Sequence, residues 1–487
     1  MNVKKILCVI FSFALLLSTA VMTISADDTA ESNTYTVYVS DNGDNDKNTG
    51  LTEDSPVKSL NVAIAKINSA RKKNASITEG KIVLVGDVTP GGTDGGNNDY
   101  APSTTHLDAY DFPLTITSQK RTEGPYSVVL KPRKDGKMHS LHLGGFTVFE
   151  NVGIDARTTG IIFENSKGLV MGEGIDVKNP SNTFISGGRD TVIGRETNPD
   201  LGNIYIEIHS GSYNRVTLVP SEMPGFDQAL KVGNITMIAE NCKFTATGID
   251  LGGRQWGSKQ YSYTVSGDVN ILAGKNVVFG QTSRISIGLE GPTNHSYAFN
   301  GNVFVKLDSD IGLTKTVNLK LGNATIGENR KVKLSVPESI KSYVKVSDAL
   351  SAVSEQGSDL AYIPNFVGYQ DTRKTSTGDT YSARFLATLP AVDGLSKVGF
   401  EITPKVGSRT GTTQTVEGNS VYSSVQALGS TVRATSMGGK WVYALVIDGI
   451  PRSITETIEY TVIPYTIDSN GNRVNGIAGT IAINPAD

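Results

Sequence analysis

At 487 residues, with 19% charged and 7% aromatic side chains and 52 glycines against 18 prolines, the chain is too long for one ordinary core. Its composition is neither disordered nor collagen-like. A formal net charge of −3 without a basic block argues against nucleic acid and anionic membranes as partners.

The first segment has Lys4 and Lys5, an apolar run over 6–22, and then small and polar residues to Ala26 before Asp27 and Asp28. That order predicts a secretory signal peptide over 1–26. Its removal takes the net charge from −3 to −5 and leaves Cys242 as the one mature cysteine. No intrachain disulfide is then expected, and packing must hold the fold. The terminus Pro485-Ala486-Asp487 lacks a hydrophobic tail, so release into the extracellular space is expected, with no membrane contact after the leader is removed.

Residues 35–40 (YTVYVS) alternate as a strand. An Asp/Asn/Gly-rich loop follows over 41–50. Ser59 then N-caps a segment with Leu60, Ala63, Ile64 and Ile67 on one helical face. Residues 81–86 (KIVLVG) read as a strand. In the middle of the chain a Gly-Asn or Gly-Asp turn introduces an alternating strand four times, at Gly202, Gly233, Gly267 and Gly301, spaced 31, 34 and 34 residues apart. Such spacing marks a repeat architecture. The glycines suit corners with φ > 0. Helices between these strands are almost absent, which excludes β/α folds. A propeller blade needs about 40–50 residues, so the spacing is short for one. From about 341 the pattern loosens into a linker over 341–365. Residues 384–389, 397–403, 441–447, 458–463 and 479–483 then form strands at sandwich-like spacing.

Taken together, the strand, the loop, "SPVKSL", the helix and the next strand resemble the start of pectate-lyase-like right-handed parallel β-helix proteins. In that superfamily a helix commonly plugs the open end. The stretches "FPLTITSQ", "LHLGGFTVFENVGI" and "GDVNILAGKNVVFG" resemble large secreted β-helix proteins of Gram-positive gut and rumen bacteria. "ARFLATL", "KVGFEITPK" and "YALVIDGIP" look like a β-sandwich module at the ends of many secreted proteins of those bacteria. The expected organisation is all-β: a right-handed parallel β-helix with an N-terminal capping helix over 27–340, a linker over 341–365 and a β-sandwich over 366–487.

Chemistry is harder to place. A lyase of this superfamily pairs Ca²⁺ held by acids with an Arg or Lys base. The best local set is Asp250, Arg254 and Lys259, in a Gly-rich loop with Trp256 and Tyr261. A second lies at Arg189, Asp190, Arg195 and Glu196. Neither matches a lyase motif. For a hydrolase, Asp155, Glu164, Glu173 and Asp176 are acids without a recognisable pair motif. Asp41, Asn42, Asp44, Asp46 and Asn48 could offer oxygens to Ca²⁺, but an EF-hand reading from Asp44 puts Ser55 where a Glu is needed, so no metal site is assigned. His139 and His142 lack zinc-ligand spacing. Tyr205, Glu207 and His209 share one strand face, expected to be solvated. Trp441 reads as core. Trp256, Tyr261 and Tyr263 are the candidate sugar-stacking residues. Three functions remain: a non-catalytic, monomeric surface for polysaccharide or cell-surface glycan; a polysaccharide lyase or glycoside hydrolase; and a spacer carrying the sandwich. The first is preferred.

Overall fold

The computed structural model describes residues 34–74, 77, 79–90, 105–110, 112–131, 139–156, 161–165, 168–187, 204–218, 228–252, 261–280, 284–288, 296–308, 311–313, 315–328, 330–356, 365–366, 373–374, 380–389, 395–419, 425–428, 432–437, 440–451, 453–476 and 478–483. The predicted leader and Trp256 lie outside the described residues. One compact unit covers Asn33–Ala361, and another includes Tyr362–Asp487.

The first unit is a parallel β-solenoid. Its longest sheet, sheet 1, has eleven strands running from Thr34–Val39 to Ser354–Gln356. Sheet 2 has nine strands, and sheet 3 has four, Gln228–Val232, Tyr261–Val265, Ser296–Phe299 and Ala324–Ile326. The expected repeat strands are rungs of sheet 1: Ile204–Ile208, Ile235–Ala239, Val269–Ala273 and Val303–Leu307 pair in register as parallel neighbours. Period-2 alternation sends Ile204, Ile206 and Ile208 inward onto Ile235, Met237 and Ala239, and these onto Val269, Ile271 and Ala273. Each fully buried Ile, Leu or Val contributes about 1.5–3 kcal/mol, and the stack repeats it rung after rung.

The repeating glycines have another reason than the one expected. Gly233, Gly267 and Gly301 do not have positive φ. Gly267 and Gly301 pack too closely for a side chain: a Cβ on Gly267 would lie 2.4 Å from Asn234 Oδ1, and one on Gly301 would lie 2.0 Å from the Gly267 carbonyl oxygen. The following residues form a ladder. The Asp268 amide donates to Asn234 Oδ1 (2.8 Å), and the Asn302 amide donates to Asp268 Oδ1 (2.8 Å). Positive φ occurs instead just beyond the sheet 1 strands, at Asn151, Gly174, Gly211, Asn241 and Asn276. Asn276 Nδ2 donates to Asn241 Oδ1 (2.9 Å), so these corners also stack.

The helix is present as Leu60–Lys73, with Leu60, Ala63, Ile64 and Ile67 buried against the first two strands of sheet 1. The boundary at 340 is corrected. Val344–Val346 and Ser354–Gln356 add parallel rungs to sheets 2 and 1, so the solenoid runs on into the expected linker as far as Gln356. The second unit is antiparallel, in two sheets built on Thr380–Leu389 with Lys440–Pro451 and Leu395–Val406 with Ile458–Asp468. The Phe385 and Tyr460 rings meet between these sheets, 5.4 Å apart. Tyr465 lies over its strand partner Gly399, where a Cβ would stand 2.5 Å from the ring.

Candidate functional site

Asp250 ends the strand Gly248–Asp250 of sheet 2. Ile249 points inward, so Asp250 points outward, but it is buried. Arg284, one rung on, donates from Nε to Oδ1 (2.8 Å) and from Nη2 to Oδ2 (2.9 Å). This bidentate fork satisfies both carboxylate oxygens. As a general base Asp250 would first have to leave Arg284, so its geometry fits a strut better than a base. Arg284 escaped the sequence reading, although the 34-residue repeat separates it from Asp250. Asp250 belongs to an outward row of Cα partners, Ser186, Thr217, Asp250, Ser286 and Lys320, running across five rungs. Arg254 and Lys259, the other two catalytic candidates, lie outside the described residues, as do Arg189, Asp190, Arg195 and Glu196.

Of the sugar-stacking candidates, Tyr261 is placed only as the first residue of its sheet 3 strand. Tyr263 is corrected. It is 1% exposed and stacks on Tyr297, with ring centroids 5.0 Å apart and planes 3° from parallel. Its neighbours Ser262 and Thr264 take the outer positions, so the alternation sends the Tyr263 ring into the interior.

The stripe Tyr205, Glu207 and His209 does share the outer face of sheet 1, but it is not solvated. Glu207 is 0% exposed. His209 Nε2 lies 2.8 Å from Glu207 Oε2, and its Nδ1 lies 3.3 Å from Glu240 Oε2. An imidazole between two carboxylates on adjacent rungs is a compact acid–base unit. His142, expected to point outward, takes an outer position between inward Leu141 and Leu143 but is buried as well. Periodicity reads the face and not what covers it.

The loop weighed for Ca²⁺ spends its oxygens on its own turns. Asp44 Oδ1 accepts from the Asp46 and Lys47 amides, at 2.9 and 3.0 Å. The Lys47 amide, and then that of Asp46, hold the Asp44 carboxyl below its ordinary pKa. Asp41 accepts from the Thr89 amide and hydroxyl. Among the described residues no group of three His, Cys, Asp or Glu side chains is arranged to hold a metal ion.

The exposed part of the solenoid is best defined on sheet 3. Lys231, Thr264, Ala298 and Thr325 are successive Cα partners, and Ala229, Ser262 and Ser296 form the parallel row. Lys231, Ala229, Ser296 and Thr325 are exposed, and the others are half-buried. Leu230, Val232, Tyr263, Val265, Tyr297 and Phe299 hold this sheet from the inside. In the sequence, residues 253–260, which include Trp256 and lie outside the described residues, separate the sheet 2 strand Gly248–Asp250 from the sheet 3 strand Tyr261–Val265.

Comparison with family models, with curated proteins and with solved structures gave no match for this chain.

Proposed function

We propose that the protein is secreted and non-catalytic, and that its solenoid presents an extended surface to polysaccharide or to cell-surface glycan. The observation that carries this reading is the outer face of sheet 3, where small hydroxyl and methyl side chains repeat in register over four rungs. Rungs about 4.8 Å apart make a flat, regular array suited to a repeating ligand. Trp256, which precedes the strand Tyr261–Val265 in the sequence, is the residue proposed to stack on a sugar ring. Export follows from the leader pattern over 1–26. Among the described residues no helix is long and apolar enough to cross a membrane.

A lyase or hydrolase is the second reading. Its candidates are Asp250 and, four and nine residues further along the sequence, Arg254 and Lys259. Affinity gels containing neutral or acidic polysaccharides test the first reading. Retardation by at least one polymer, weakened about tenfold in Trp256→Ala, is the expected result. Absence of retardation by all of them contradicts it. Unsaturated uronate detected with or without Ca²⁺, or new reducing ends, would replace the contact reading with the enzymatic one.

A further inference from the structure

We infer that the outer face of sheet 3 binds an extended, ribbon-like glycan of the β-1,4-linked kind, laid across the rungs, in preference to a coiled α-linked one. The inference rests on the glycan-contact reading and names the linkage class that its face accepts. Three rows make up the face. Thr264, Ala298 and Thr325 are successive Cα partners and form the middle row. Ser262 and Ser296 form one flank. Ser266 and Asn300 form the other, because the ladder continues past the strand ends: the Ser266 amide donates to the Val232 carbonyl and the Asn300 amide to the Val265 carbonyl, each at 2.9 Å. Tyr263, Val265, Tyr297 and Phe299 fill the interior between these positions, so the three rows point outward.

None of these side chains is buried. Ser266, Ser296, Asn300 and Thr325 are exposed, and Ser262, Thr264 and Ala298 are half-buried. The middle row carries a methyl group on each rung. The Thr325 hydroxyl donates to the Tyr297 carbonyl (3.2 Å), so its methyl is the group left to a ligand. The flanks carry hydroxyls and an amide, which donate and accept. Positions two apart on a strand lie about 6.6 Å apart, so polar groups border the methyl midline at that distance on either side. A sugar ring lying flat has the same division, with C–H groups beneath it and hydroxyls at its rim.

The stacking of the rungs limits the shape of the ligand. The Tyr263 and Tyr297 rings, on the inner side of the same strands, have centroids 5.0 Å apart and planes 3° from parallel. These rungs are therefore related by almost pure translation, and groups on the face repeat in a straight line at about 4.8 Å. A β-1,4-linked chain is an extended ribbon whose sugar units advance in a straight line by nearly the same step, so one unit lies over each rung. An α-1,4-linked glucan coils, and its successive units turn away from a straight row. Lys231 holds the middle position on the first rung, where its long side chain ends the row of small residues and its ammonium donates to a hydroxyl at the end of the ligand. The site thus covers about three sugar units, one over each of Thr264, Ala298 and Thr325.

Calorimetric titration of the full chain tests this, using cello-, xylo- and manno-oligosaccharides of increasing length against malto-oligosaccharides of the same lengths. Ala298→Arg and Thr325→Arg place a long charged side chain on the middle row, Ala298→Thr keeps a methyl there, and each variant is also melted without ligand. The expected result is binding of a β-1,4-linked oligosaccharide at least tenfold tighter than of the malto series, with affinity rising up to about three sugar units and levelling beyond. Binding should fall at least tenfold in both arginine variants and stay close to that of the unchanged protein in Ala298→Thr. Thr325 is exposed, so Thr325→Arg should melt with the unchanged protein and decides the matter if Ala298→Arg does not fold. Malto-oligosaccharides bound as tightly as the β-linked series overturn the inference. Undiminished binding by a folded arginine variant overturns the site and leaves the contact reading standing elsewhere on the surface. No binding of any β-linked oligosaccharide overturns the site, and the affinity gels then decide the contact reading separately.

Discussion

Asp250 and Arg284 illustrate what a single position can and cannot reveal. The sequence marks Asp250 as an acid in a Gly-rich segment, and its partner is invisible until the rungs are stacked. The pair is buried, with side-chain exposures of 4% for Asp250 and 15% for Arg284. Removing one member of such a pair leaves a desolvated charge and costs about 3–5 kcal/mol. Arg284→Ala should therefore lower the urea midpoint strongly, whereas Arg284→Ala with Asp250→Leu should recover part of the loss. Equal midpoints for Arg284→Ala and the unchanged protein would show that the pair is not a strut. Cys242 makes a second test at this scale. It is buried, and burial pushes its thiol well above the ordinary pKa. A thiol reagent should label it only on unfolding, and rapid labelling of the folded protein would contradict the packing between the sheets. In the second unit, Lys397 and then the Tyr465 hydroxyl hold Glu417 below its ordinary pKa of 4.5. A lowered folded-state pKa stabilises the protein above the unfolded value, and the gain is lost as pH falls through the folded value. Glu417→Gln should thus reduce stability at neutral pH and flatten the acid limb of the stability profile.

At the scale of elements, the even spacing of Gly-Asn and Gly-Asp was enough to place the sheet 1 rungs. It misassigned why glycine is there. The conformational corner belongs to Asn151, Asn241 and Asn276, each between a strand of sheet 1 and the next strand in sequence. Isolated asparagines are common in loops, so they carry little signal until stacking aligns them. The strands Val344–Val346 and Ser354–Gln356 were missed for a related reason. Last rungs have polar, half-exposed positions, and alternation fades where one side of the ladder has no further rung. Two substitutions separate close approach from backbone conformation. Gly267→Ala should cost about 1–3 kcal/mol through overpacking against Asn234. Asn276→Gly should be nearly neutral, while Asn276→Ala should cost about 1–2 kcal/mol, because alanine lacks the short polar side chain that lets asparagine tolerate φ 56°. Urea titrations of the three variants check both values.

At the scale of the molecule, the division into a parallel repeat and an antiparallel unit was legible because the two kinds of sheet use different strand lengths and spacings. The coverage of the outer faces was not. Alternation predicts that Tyr205, Glu207, His209 and His142 face outward, but solvent contact depends on distant parts of the chain. For the same reason Tyr263 looked like a surface aromatic and is an interior one. The glycan surface requires that the rungs stand in the register described, with Lys231 and Thr325 three rung steps apart on one exposed face. Spin labels on Lys231→Cys and Thr325→Cys, in the chain without residues 1–26 and so without Cys8, measure that stack directly, since buried Cys242 takes no label. The account predicts a single short distance distribution, centred near 14 Å from three steps of about 4.8 Å, with broadening from the label arms. A broad distribution, or one centred far beyond the reach of three rungs, would contradict the stacked register on which that surface depends.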